Sequence, residues 1–160
     1  MADFFYAELN GNNEICPVQT RASGIAFFGF DDNFTILTFI LRINQLNRYR
    51  SAQLRFGSPR STGPIVAALF EVCTRSININ PGTVTGTLMR SDLRGPLTGR
   101  SLADLAAQME TGHIFVNVTS DRYPSGEIRG QVIPLSGPCP SPRHPRPCGC
   151  DHECDCICDV

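Results

Sequence analysis

GHIFVNVTSDRYPSGEIRGQV, residues 112–132, carries the pattern that decides the fold. Apolar residues alternate at Ile114, Val116 and Val118 and return at Ile128 and Val132, the period of a strand with one buried face. Between the two runs, Tyr123-Pro124-Ser125-Gly126 concentrates residues whose backbone preferences suit a chain reversal, so the stretch predicts a β-hairpin. On the return strand Glu127 and Arg129 share one face and Ile128 takes the other. The expected arrangement is a solvated ion pair outside and an isoleucine inside. A hairpin with one apolar face needs a second sheet to cover it.

Working outward, the segment before the hairpin reads as a helix over residues 101–109. Ser101 can cap it, Asp104 favours its first turn, and Leu102, Leu105, Ala106 and Met109 share a face that ends at Gly112. Further upstream the signals are those of strands. Threonines alternate with Val84, Gly86 and Leu88 over residues 83–89, residues 65–72 form an apolar run, and residues 51–56 make a weaker strand before a Gly/Ser/Pro loop at 57–64. Residues 22–30 and 34–43 read as a long hairpin joined by Asp31-Asp32-Asn33. Ala22, Gly24, Ala26, Phe28 and Phe30 lie on one face, Ile25 and Phe27 on the other, and Leu37, Phe39, Leu41 and Ile43 face them from the partner. Apolar residues on both faces predict that this hairpin is central or well covered. Residues 4–10 supply one more short strand, followed by Gly11-Asn12-Asn13 as a loop. The expected fold is all-β, an antiparallel Greek-key-like β-sandwich with one short helix, occupying residues 1–135.

Composition agrees with that class. The 160 residues include Gly 14 and Pro 12, aromatics are 8% and tryptophan is absent, as expected of many turns joining short strands. The formal net charge of -1, without long blocks of like charge, points away from nucleic acid and from a membrane surface as partners. All 14 basic side chains are arginine, which closes isopeptide cross-linking through lysine and leaves cysteine as the covalent option. The opening MADFFYAELNGNNEICP has neither a basic region nor a long apolar run, so export by a standard signal is not expected.

Several segments together resemble the CHRD domain: Ala7-Glu8-Leu9-Asn10-Gly11-Asn12-Asn13-Glu14, Pro17-Val18-Gln19-Thr20 with Ala22-Ser23-Gly24, Gly63-Pro64-Ile65-Val66-Ala67-Ala68-Leu69-Phe70, Thr85-Gly86-Thr87-Leu88, Val116-Asn117-Val118, and Tyr123-Pro124-Ser125-Gly126-Glu127-Ile128-Arg129-Gly130-Gln131. The resemblance covers roughly residues 4–133. It implies an antiparallel β-sandwich used for binding or assembly, as in the chordin repeats and in microbial proteins that include endospore surface proteins. Family members commonly carry a His-Ile-His segment where this chain reads Ala52-Gln53-Leu54-Arg55-Phe56-Gly57, and a histidine where it has Thr119. Only His113 remains in the domain, so a three-histidine copper or zinc site cannot be assembled there, and His113 reads as a solvated residue. No nucleophile elbow, P-loop or dinucleotide fingerprint is present, and no enzymatic activity is expected.

The tail is a separate object. Residues 136–147 form a proline-rich spacer, expected to be extended, and residues 148–160 a cysteine-rich end. Cys139, Cys148, Cys150, Cys154, Cys156 and Cys158 are candidate cross-linking residues, because Cys-x-Cys neighbours pair poorly with each other while an extended tail offers them to another chain. The alternative is a zinc or copper(I) thiolate site from Cys148, Cys150, His152, Cys154, Cys156 and Cys158; a third reading leaves the thiols idle. Asp151, Glu153, Asp155 and Asp159 would raise the neighbouring thiol pKa values and slow spontaneous oxidation. Cys16 and Cys73 lie within the domain and could pair with each other, accept a neighbour's tail, or fill small apolar gaps. The expected function is structural: a self-assembling protein of a bacterial spore surface layer or appendage, made in the mother cell without a resident cofactor. Its partners would be copies of itself and other surface-layer proteins. The rival is a metal-thiolate or extracellular ligand-binding module.

Overall fold

The computed structural model describes residues 2–71, 77–79 and 82–135. Its strands are β1 (Phe4–Asn10), β2 (Ser23–Phe30), β3 (Leu37–Asn44), β4 (Leu46–Phe56), β5 (Ile65–Glu71), β6 (Ile77–Ile79), β7 (Gly82–Leu88), β8 (Ile114–Ser120), β9 (Ile128–Gln131) and β10 (Ile133–Pro134), with one α-helix, α1 (Leu102–Glu110), among the described residues. Every strand pairing is antiparallel. The strands form one sheet in the order β5-β4-β8-β9-β1-β2-β3-β7, with β6 beside β4 and β10 beside β1.

That sheet folds over on itself at a narrow seam, where β1 and β9 share only the pair Asn10 and Arg129. It therefore makes two layers, β5-β4-β8-β9 and β1-β2-β3-β7, and β5 approaches β7 on the far side so that the sheet nearly closes. The core lies between the layers. Phe5, Leu9, Phe28, Leu41 and Ile43 come from one layer and Leu54, Val116, Val118 and Ile128 from the other, all at 2% exposure or less. Each such side chain contributes on the order of 1.5–3 kcal/mol by leaving water. Helix α1 closes one end with Leu102, Leu105, Ala106 and Met109. Ser101 and Asp104 form a reciprocal capping box at its start, and Gly112, at φ +78°, turns the chain out of it.

Three expectations need correction. The weak strand over 51–56 is the end of β4, eleven residues long and central in its layer. Left-handed backbone at Gln45 and Arg48, and register shifts against β6 and β8, set the buried positions at Leu46, Tyr49, Ala52 and Leu54 and so break the period of two. β3 begins at Leu37, not at residue 34. Asp31 accepts hydrogen bonds from the Thr35 and Ile36 amides and from the Thr35 hydroxyl, which ties residues 31–36 into a loop with Phe34 at φ +53°. Finally, the outer face of the β2–β3 hairpin is not covered: Phe27 and Ile40 are 38% and 39% exposed.

Candidate functional site

Apart from Phe115, the outward-facing residues that the pairing of β4, β8 and β9 sets in rows are polar. Gln53, Asn117 and Arg129 lie side by side across the three strands, and so do Arg55, Phe115 and Gln131. An outer sheet face would ordinarily be wet, yet every residue of β8 is buried. The segments around residues 11–20 and 57–63 lie over it. Gln131 Nε2 donates to the carbonyls of Gly57, Gly112 and Ile114, and Arg129 Nη2 donates to the carbonyls of Ser58 and Ser61 at 2.6 Å each.

Arg129 is consequently 2% exposed, and its guanidinium carbon stands 3.6 Å from the centre of the Phe115 ring. A buried cation is tolerated only where its charge and its donors are met. Here two carbonyls, an aromatic face and the Glu14 carboxylate do so. Burial lowers the Arg129 pKa and Glu14 opposes that shift. Burial raises the Glu14 pKa, against the pull of Arg129 and Arg55.

Beside this pair opens a cavity of about 550 Å³, lined by Asn13, Glu14, Ile15, Arg60, Arg129 and Gln131 among others. Glu14 Oε1, Gln131 Oε1 and Asn117 Oδ1 are buried and have no hydrogen-bond partner among the described residues. Two of these oxygens converge on Gly126: a Cβ there would lie 2.5 Å from both Asn117 Oδ1 and Glu14 Oε1, and the residue's φ of +143° already favours glycine. The cavity thus offers Arg60 as an exposed donor, while Arg129 and the unpartnered Glu14 and Gln131 oxygens are buried in its wall. It fits a ligand carrying anionic oxygens.

Glu127 and Arg129 are not the solvated ion pair expected from their alternation. Both are buried; Glu127 accepts a 2.6 Å hydrogen bond from the Thr20 hydroxyl, and Arg129 turns to the 57–63 segment. The alternation placed them correctly on the face away from Ile128, but two loops distant in sequence cover that face. Ile128 is fully buried.

His113 is exposed, hydrogen-bonded through Nδ1 to the Thr111 hydroxyl and stacked on Phe56. Gln53, Arg55 and Thr119, from the segments where the resemblance leads one to expect histidines, lie on the outer face of β4 and β8, with Ser51 and Thr119 joined by a 2.6 Å hydrogen bond. Among the described residues, no group of three or more His, Cys, Asp or Glu is placed to hold a metal ion. Cys16 is exposed with a free thiol, and its neighbours Ile15 and Pro17 both line the cavity. Cys73, Cys139, Cys148, Cys150, His152, Cys154, Cys156 and Cys158 lie outside the described residues.

A family model for the CHRD domain matches residues 5–132. The chain belongs to the CHRD domain family. No curated protein matches it. The matched CHRD region includes both layers of the sandwich, the cavity and Cys16, and stops short of the proline-rich spacer and the cysteine-rich tail. Sequence reading missed Glu14 and Gln131 as parts of a site. The available signal was Asn117, a polar residue amid the apolar Ile114–Val118 alternation, and its partners come from segments that only the folded chain brings together.

Proposed function

We propose that this CHRD protein is a structural, self-assembling component of a bacterial spore surface layer or appendage, in which disulfides from the cysteine-rich tail join the subunits. The observation that carries the reading is six cysteines within residues 139–158, placed beyond a proline-rich spacer on a compact β-domain. The domain's exposed thiol at Cys16 supplies a further acceptor. An arginine-only set of basic residues is consistent with cross-linking through sulfur and not through lysine. The role is non-enzymatic, the partners are other copies and neighbouring surface-layer proteins, and oxidation follows release from the mother cell.

The test is the size distribution of the protein from its native source in denaturant, with free thiols blocked, with and without reductant. Covalent multimers that collapse to a single chain on reduction are the expected result. A single chain in both conditions overturns the proposal, and zinc or copper(I) released from that chain on denaturation would make the tail a metal-thiolate site instead.

A further inference from the structure

The cavity beside Arg129 presents one exposed cation, Arg60, and one segment of this chain is complementary to it. Residues 148–160 contain Asp151, Glu153, Asp155 and Asp159 and no arginine. We infer that the cavity lined by Arg60 and Arg129 is the docking site for the acidic cysteine-rich tail of a second copy, and that Cys16 on its rim is the thiol to which that tail is joined. This rests on the proposed cross-linked assembly and adds to it the site where one copy receives the next.

Three observations support the fit. First, the tail's carboxylates complement Arg60, the exposed arginine of the cavity lining. Second, Cys16 is exposed between two cavity-lining residues, so a docked tail passes its thiols across it. Third, the chain leaves the domain at Leu135, whose amide bonds Phe4 at the start of β1, whereas the cavity lies past Asn10 at its other end. The two points are separated by roughly 20 Å of strand. A donor point and an acceptor point on different parts of the surface make a heterologous contact between copies, which closes into a ring or extends into an open polymer. Residues 136–147, if extended at about 3.1 Å per residue, span roughly 35–40 Å and reach a neighbour.

Docking also sets when the bond forms. The tail's carboxylates hold its thiols protonated, and opposing them with arginine makes the thiolate more available at the cavity than elsewhere. With an oxidised small-molecule disulfide as oxidant, Cys16 first forms a mixed disulfide and releases one small thiol. The docked tail thiolate then attacks the Cys16 sulfur, the Cys16–tail S–S bond forms, and the second small thiolate leaves and takes up the tail's proton. Two protein thiols are oxidised and one small disulfide is reduced to two thiols.

The experiment mixes equal amounts of ¹⁵N-labelled and unlabelled full-length protein, oxidises the mixture with oxidised glutathione, blocks residual thiols and maps disulfide-linked peptides by mass spectrometry. The expected product joins Cys16 to a cysteine within residues 148–158, with half of the linked pairs carrying one heavy and one light partner. Arg60→Glu, in an exposed loop, is expected to lower the Cys16-linked fraction about fivefold or more, as is oxidation in about 0.5 M salt. Reducible multimers in which Cys16 is recovered blocked as a free thiol would overturn the docking and leave cross-linked assembly standing. Pairs of like label only would show each cavity filled by its own tail and overturn it equally. If no reducible multimer forms, the proposed function falls with it.

Discussion

Glu14 is drawn toward ionisation by Arg129 and Arg55 and away from it by burial, and burial dominates: its pKa is raised above the ordinary 4.5. A carboxyl that binds its proton more tightly in the folded than in the unfolded chain makes stability fall as pH rises. The loss begins at the ordinary value and is complete above the raised one. Glu14→Gln removes that titration. The variant is therefore expected to unfold at a higher temperature than the parent at pH 7, with the gap shrinking as pH is lowered through the carboxylate range. Calorimetry across that pH range checks it, and a variant that unfolds below the parent at pH 7, with the deficit shrinking toward acid pH, would show that the attraction of Arg129 outweighs burial. The sequence does not disclose this balance. Alternation shows which way Arg129 points, and Glu14 in its loop has no period at all; what buries both is the approach of residues 57–63 and 11–20, a tertiary event.

Among the elements, the seam between β1 and β9 matters most, since there two layers become one sheet. Gly130 permits it: a Cβ at this position would be driven into the backbone carbonyl of Glu8 on the neighbouring strand. Gly130→Ala is expected to destabilise the domain by about 1–3 kcal/mol, the range for overpacking at a site that cannot give way. A lowered denaturant midpoint with the native strand content retained would be the signature; an unchanged midpoint would mean that the seam is pliable. The elements with regular periods, β1, β2, α1 and β8, were legible in the sequence within a residue or two at each end. β4 was not, because Leu46, Tyr49, Ala52 and Leu54 reach the core at irregular spacing, through a bulged strand that no periodic template matches. The helix was easier, since Ser101 and Asp104 write its start in a local code.

For the molecule as a whole, disulfides can only fix contacts that something else first makes, because tethering is efficient when partners are already adjacent. The outer face of the β1-β2-β3 layer offers such a contact. Ile133, Tyr6, Phe27 and Ile40 stand in register across four strands, and the first, third and fourth are 40%, 38% and 39% exposed. The apolar residues on both faces of β2 and β3 predict a central or well-covered hairpin, and periodicity records that a residue is apolar and not which molecule covers it. Under the proposed assembly the cover is a second copy. Phe27→Asp places a charge in the middle of the row without touching the core, where Ala26 and Phe28 remain. With reductant present, so that only noncovalent association counts, sedimentation velocity should show the parent associating with concentration. The variant's dissociation constant should be raised by about 30-fold, the loss expected for one central aromatic contact worth ~2 kcal/mol. Equal association of parent and variant would remove this face from the assembly and leave the arginine-lined cavity as the contact that brings copies together before oxidation.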